Sequence, residues 1–89
     1  KGTIENAYTL SDGEYEVIVA EIIETSELIN KEIKNSNLPD ELRIGAVLRD
    51  KKIIIPRSNF VFKKDDRVVF IVKKDSISFV ENIFRLSSV

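Results

Sequence analysis

RIGAVLRDKKIIIP, residues 43–56, is the stretch of sequence that decides the fold, because it predicts two strands joined by a tight turn. Residues 43–49 alternate weakly between polar and apolar side chains, and Lys52–Ile55 is mostly β-branched. Only Asp50 and Lys51 lie between the two segments, a spacing typical of a two-residue hairpin. Pro56 ends the second strand because it has no N–H to donate.

Three more segments outside this hairpin predict strands. Residues 14–24 (EYEVIVAEIIE) are apolar on both faces along part of their length, which indicates burial on both sides. Residues 67–73 (RVVFIVK) predict another strand, central in the sheet. Residues 58–64 predict a short strand with Phe60 and Phe62 on one face.

Two helices complete the predicted domain. A short helix is expected over Lys31–Ser36, and Pro39 prevents its continuation. Asp75 or Ser76 is expected to cap a closing helix, whose apolar stripe consists of Ile77, Val80, Ile83, Phe84 and Leu86. Residues 1–13 are interpreted as a lead-in and residues 14–89 as the domain. The predicted fold is α+β, a small, mostly antiparallel sheet with two helices in the order β-α-β-β-β-β-α.

The composition argues against catalysis and against a metal site. The 89 residues are enough for one small domain, and they include no Cys and no His. Thiolate nucleophiles, imidazole bases and Cys- or His-based metal sites are therefore excluded. The three glycines are scattered, so no phosphate-binding loop is present. We predict no catalytic residue and no metal ligand in this chain, which is interpreted as non-enzymatic.

Charge and hydropathy narrow the range of partners. The net charge is −1, and this balance gives no indication of nucleic-acid binding. No apolar run approaches the roughly 20 residues of a spanning helix, so we expect no direct membrane insertion and a cytosolic setting. The apolar strand surface exceeds what two short helices can cover, which predicts a second subunit. The candidate dimer interface is Ile53, Ile54, Ile55 and Pro56, although an ordinary buried edge strand would give the same pattern.

An ordered set of short motifs resembles the C-terminal RCK lobe, also called the TrkA-C domain. The resemblance covers nearly the whole chain from Glu14 onward, and residues 4–13 are similar to the segment that precedes this lobe in Trk-type potassium-uptake regulators. The motifs that carry it are Glu24-Thr25-Ser26, Leu38-Pro39, Arg43–Asp50, Lys52–Arg57, Asp66–Phe70 and Val80–Arg85.

The resemblance implies a regulatory role. It implies a homodimerising domain of the cytosolic gating subunit of a Trk-type potassium uptake system, at the inner face of the cell membrane, with a membrane-embedded transporter as partner. NAD or ATP would be bound by a preceding N-terminal Rossmann lobe, and this chain would hold no cofactor. The alternative is an effector-sensing module of another protein, such as an antiporter or a transcription regulator, because fold alone does not settle function.

The resemblance also implies an effector site between two subunits. The residues expected there are Arg43, Ile44, Ile55, Pro56 and Arg57. Arg43 and Arg57 can neutralise a phosphate or a carboxylate, and surface salt bridges are the other explanation for them.

Three positions depart from the family pattern at expected turns. Family members often carry Gly where this chain has Asn30, Lys51 and Asp65. Asn and Asp tolerate a left-handed backbone, so two of these changes are mild. Lys51 in a primed turn would cost about 1 kcal/mol, or the turn type differs.

Overall fold

The computed structural model describes residues 4–10, 13–24 and 26–85. Its described strands are β1 (Ile4–Leu10), β2 (Tyr15–Glu21), β3 (Leu42–Arg49), β4 (Lys52–Ile54) and β5 (Arg67–Lys73). They form one antiparallel sheet in the order β1-β2-β5-β3-β4. The hairpin predicted from residues 43–56 is present as β3 and β4, and the α+β class is confirmed.

Strand β5 lies at the centre of the sheet, as its apolar sequence predicted. It pairs with β2 on one side and with β3 on the other. Because side chains alternate along a strand, one face of β5 packs into the core while the other carries half-buried or exposed residues. The buried core includes Ile18, Ala20, Ile22, Leu28, Leu42, Val47, Phe62, Val68, Phe70, Val72 and Val80.

Two irregular segments pair with each other and contribute to this core. The Asn30 N–H donates to the Phe62 carbonyl at 2.8 Å, and the Ile33 N–H donates to the Phe60 carbonyl at 2.9 Å. The short helix expected over Lys31–Ser36 is a single 3-10 turn, Ile33–Asn35. The strand expected over residues 58–64 is reduced to one isolated bridge between Glu32 and Val61. Cross-segment backbone bonds replace the regular helix and strand here.

The last element among the described residues is α1 (Ile77–Arg85), which follows a 3-10 turn over Lys74–Ser76. Asp75 and Ser76, the expected caps, both lie in that turn. Val80 is buried in the core and Ile77 packs against it, while Leu86, assigned to the same stripe, lies outside the described residues. In the described part of the chain, no helix has both the length and the apolarity needed to cross a bilayer.

The segment interpreted as a lead-in contributes to the sheet. Within residues 1–13, β1 pairs with β2 and forms one edge. Its sequence is compatible with a strand, because Tyr8 and Leu10 lie two residues apart with the polar Thr9 between them. Its role as the connection from a preceding lobe stays a prediction.

The three positions that depart from the family glycines all have a left-handed backbone. The φ angles are 64° at Asn30, 67° at Lys51 and 73° at Asp65. Asp50 also has a positive φ, 51°, so the hairpin turn has the primed geometry that suits the twist of two-residue hairpins. Lys51 therefore occupies a position that glycine would fill with less strain.

Candidate functional site

The two halves of β3 have different surroundings. Val47–Arg49 pairs with β4 on one side and β5 lies along the other. Residues 42–46 lie beyond the end of this pairing, and β5 is their one neighbour among the described strands. The first half of β3 therefore has one backbone edge that no described strand pairs with, because β4 is too short to reach it.

A β-bulge interrupts this open half. Ile44 is opposite Phe70 and Ala46 is opposite Val69, so Gly45 is the extra residue on β3. Bulges bend a strand and redirect its side chains, and they are common at sheet edges and beside binding sites. The bulge therefore sets the direction of the two residues before it, Arg43 and Ile44.

A cleft of about 550 Å³ lies next to the open half of β3. Three segments form its walls: residues 33–40, the start of β3, and residues 56–58. Its lining is divided evenly between apolar and polar residues, and it carries three cationic side chains against one carboxylate. The lining residues are Ile33, Lys34, Asn37, Leu38, Pro39, Asp40, Leu42, Arg43, Ile44, Pro56, Arg57 and Ser58.

Four of the five residues predicted for an effector site lie together in this cleft: Arg43, Ile44, Pro56 and Arg57. Ile55 is not part of its wall and is 74 % exposed. The wall formed by residues 33–40 was missed by the sequence reasoning. The Leu38-Pro39 turn that precedes β3 could have indicated this wall, because a turn of this kind folds the preceding segment back over the strand.

The cationic groups of the cleft differ in how firmly they are held. Arg43 Nη1 donates to the Asp40 carbonyl at 2.6 Å and to the Leu42 carbonyl at 2.9 Å. These bonds use one nitrogen of a group with five N–H donors, so the rest can contact a ligand. Among the described residues, no side-chain hydrogen bond or ion pair holds Lys34 or Arg57. In the cleft, hydrogen bonds therefore hold the guanidinium of Arg43 in one orientation, whereas the side chains of Lys34 and Arg57 are free of described hydrogen bonds.

The opposite end of β3 carries a structural ion pair. Arg49 Nε and Nη2 each donate to a carboxylate oxygen of Asp66 at 2.7 Å, and Nη2 also donates to the Val61 carbonyl at 2.9 Å. The carboxylate of Asp66 is 1 % exposed and accepts the Lys63 N–H at 2.8 Å. The hydrogen bond to Asp66 is the main cause of a raised pKa at Arg49. Its guanidinium lies 4.7 Å from the Phe60 ring centre, and this clamp ties the hairpin to residues 60–66.

The predicted dimer interface divides into two kinds of residue. Ile53 and Ile55 are 72 % and 74 % exposed, whereas Ile54 packs against the core and Pro56 lines the cleft. Large β-branched side chains this exposed on an edge strand, or directly after it, are unusual in a monomer. Ile53 and Ile55 therefore offer the most exposed apolar surface of the four predicted residues, and the interface itself stays a prediction.

This chain is similar to known proteins in both sequence and fold. The sequence model of the TrkA-C domain matches residues 17–85. The chain is 38 % identical over 87 residues to the Trk system potassium uptake protein TrkA of Azorhizobium caulinodans, covering 98 % of this chain and 19 % of that protein. It is 32 % identical over 77 residues to a TrkA homolog of Archaeoglobus fulgidus, covering 86 % and 18 %. The chain spans about a fifth of the length of these curated relatives.

Two solved structures have the same fold. The GsuK RCK domain superposes with a TM-score of 0.78 at 16 % identity, covering 93 % of this chain and 18 % of that one. The RCK_C domain dimer of S. agalactiae BusR in complex with c-di-AMP gives a TM-score of 0.66 at 24 % identity, covering 76 % and 93 %. At these identities the two structures establish the fold alone. With the family match over residues 17–85, they show that this chain belongs to the TrkA-C domain family.

Proposed function

We propose that this chain is the regulatory and dimerisation domain of the cytosolic subunit of a Trk-type potassium uptake system. In this role it lies at the inner face of the cell membrane and responds to a small effector rather than catalysing a reaction. Family membership and the names of the curated relatives support the assignment. The observation that carries the regulatory part is the cleft beside β3, whose mixed lining combines six apolar residues with three cations.

The cleft suits a small anion that has an apolar or aromatic body. Ile44, Leu38 and Pro39 offer apolar contact, and pockets of this kind use a few charged groups to fix orientation. Arg43 and Arg57 have planar guanidinium groups that match two oxygens of a phosphate or carboxylate at once. The c-di-AMP bound by the BusR domain is one anion of this class.

A thermal-shift screen with c-di-AMP, ATP and pyrophosphate tests the effector site. A ligand at 100 times its Kd stabilises a protein by about 2.7 kcal/mol, which raises the melting temperature of a small domain by several degrees. The Arg57→Gln variant should lose this rise. Lys64→Gln is the matched control, because Lys64 is exposed in a turn outside the cleft. If Arg57→Gln and Lys64→Gln showed the same ligand-induced rise in melting temperature, a site at Arg57 would be contradicted.

The second part of the proposal is a homodimer that buries Ile53 and Ile55. Sedimentation velocity of the chain should give a dimer at micromolar concentration. The Ile53→Thr/Ile55→Thr variant keeps β-branched residues but removes apolar surface, and it should shift the population toward monomer. Ile71→Thr is the control, since Ile71 is 43 % exposed but lies on the central strand β5. A wild-type chain that remains monomeric at high concentration would contradict the dimer.

The link to potassium uptake is tested in the full-length protein. Rubidium uptake by cells that depend on this protein should lose its response to the effector when Arg43→Gln and Arg57→Gln are combined. Protein abundance, measured by immunoblot, should not change. An effector-sensing module of an antiporter or a transcription regulator would instead leave rubidium uptake unaffected, and that result would favour the alternative.

A further inference from the structure

A second cavity, of about 200 Å³, lies between α1 and residues 27–37. It is smaller than the roughly 300–1,000 Å³ of sites for drug-sized ligands, so a ligand that fits it must be a small molecule. Its walls carry one carboxylate and one ammonium group among apolar and neutral polar side chains. This combination of charges differs from the cleft beside β3, where cations outnumber the carboxylate.

Hydrogen bonds fix the backbone that forms one wall of this cavity. Ser26 Oγ accepts the Leu28 N–H at 3.1 Å, and the Leu28 carbonyl accepts the Lys31 N–H at 3.1 Å. At the other end of the segment, Ser36 Oγ donates to the Glu32 carbonyl at 2.6 Å. Both serines are buried, so this wall holds its shape without a ligand.

Glu27 and Lys31 give the cavity two opposite charges that do not pair with each other. Both residues are exposed, and neither side chain forms an ion pair or a hydrogen bond in the part of the chain that the structure describes. Since the two charges share one cavity but stay apart, a ligand that carries both signs can contact each of them. A small zwitterion has this property.

The remaining walls suit the body of such a ligand. Phe79 is 48 % exposed, although the next residue of α1, Val80, is completely buried. Its ring offers apolar contact, and the face of an aromatic ring also attracts an ammonium group. The amides of Asn37 and Asn82 make no described side-chain hydrogen bond, and each can donate to a carboxylate or accept from an ammonium.

We propose that this cavity is a second ligand site, which binds a small zwitterion with a short apolar body, such as an amino acid. The ammonium group of the ligand lies near Glu27, its carboxylate lies near Lys31, and its apolar part packs against Leu28 and Phe79. The site depends neither on the proposed dimer nor on the effector cleft. Asn37 lines both cavities, so the test leaves this residue unchanged.

The test is an NMR titration of the isotope-labelled chain with L-leucine. Two analogues with the same carbon skeleton carry one charge each: L-leucinamide keeps the ammonium group, and isocaproate keeps the carboxylate. L-leucine should shift the amide signals of residues 27–37 and 79–82 saturably. It should bind about tenfold more tightly than either analogue, because only the zwitterion engages both charges. Glycine betaine in a parallel titration shows whether the site prefers a quaternary or a primary ammonium group.

Variants of the two charged residues locate the site. Glu27→Gln and Lys31→Gln should each raise the Kd of L-leucine about tenfold, and Glu27→Gln should bring it to the level of isocaproate. Glu24→Gln and Lys64→Gln are the matched controls, because both residues are exposed and lie outside the cavity. The melting temperature should not change in any of these variants, since exposed side chains without partners add little to stability. Arg57→Gln should leave L-leucine binding unchanged.

The outcomes that overturn the inference are distinct from those that overturn the proposed function. Equal affinity for L-leucine and its two analogues, or no saturable shift with either zwitterion, overturns the second site. Loss of L-leucine binding in Arg57→Gln but not in Glu27→Gln also overturns it, because the ligand then occupies the cleft beside β3. If L-leucine binds as expected but c-di-AMP, ATP and pyrophosphate produce no thermal shift, the second site stands and the effector cleft does not.

Discussion

The two halves of β3 belong to one strand but have opposite characters. In the second half, Val47 is completely buried and Arg49 is fixed by three hydrogen bonds to Asp66 and Val61. In the first half, Gly45 bulges from the sheet and Arg43 is exposed beside a cleft. The difference shows how a small domain combines a rigid support with an accessible site, by satisfying one end of a strand and leaving the other end open.

The contrast is clearest between the two arginines. Arg49 holds a buried carboxylate, so its charge is part of the structure. Arg43 donates to the backbone carbonyls of Asp40 and Leu42 and keeps most of its donors available. The sequence alone does not distinguish them, because each lies at one end of the same apolar strand.

The largest expected effect comes from breaking the clamp. Arg49→Leu leaves the buried Asp66 carboxylate with the Lys63 N–H as its remaining described hydrogen-bond donor, and removing one partner of such a pair costs about 3 kcal/mol or more. Urea denaturation should show a loss of this size. Asp66→Asn should cost less, because Arg49 is 30 % exposed and water can solvate it.

Arg57→Leu is the control for that measurement, since Arg57 makes no described side-chain hydrogen bond and its loss should change stability by less than about 0.5 kcal/mol. Equal destabilisation by Arg49→Leu and Arg57→Leu would show that the clamp does not support the second half of β3.

A smaller effect of opposite sign is expected at the hairpin turn. Lys51 has a φ of 67°, so Lys51→Gly should relieve strain and raise the free energy of unfolding by about 1 kcal/mol. Lys52→Gly is a closely matched control, because it changes the neighbouring lysine inside β4 and should lower stability by about 0.5–1 kcal/mol. Chemical denaturation that gives both variants the same sign would contradict the primed turn.

The smallest effect on stability is expected in the open half. Arg43→Gln removes exposed hydrogen bonds to the Asp40 and Leu42 carbonyls and should change the unfolding free energy by no more than about 0.5 kcal/mol. The same variant should weaken the thermal shift with pyrophosphate, because a bidentate anion contact is lost. A destabilisation as large as that of Arg49→Leu would mean that the two halves of β3 are equally structural.

Much of the fold could be predicted because its signals are local. Asp50 and Lys51 between two apolar runs predict the hairpin, and the apolar run of β5 predicts a central strand. The segments 31–36 and 58–64 were predicted less well, because their conformation depends on backbone bonds to each other across the chain. The order of apolar and polar residues within either segment gives no indication of hydrogen bonds to the other segment.

The candidate site was predictable in part for the same reason. Arg43, Ile44, Pro56 and Arg57 are close in sequence to one hairpin, and the resemblance places them together. Lys34 and its neighbours reach the cleft only because the Pro39 turn folds the segment over β3. The partner of Arg49 is 17 residues away at Asp66, and no local sequence pattern connects two residues so far apart.

The sheet order has a consequence for how the chain folds during synthesis. Strand β5 is made last, yet it alone joins the β1–β2 pair to the β3–β4 pair. Until residue 73 has left the ribosome, the sheet consists of two separate hairpins, each marginal in water by itself. The arrival of β5 converts both into one cooperative unit, and its pairing with β2 closes a loop of about 50 residues, so non-local contacts set the folding rate.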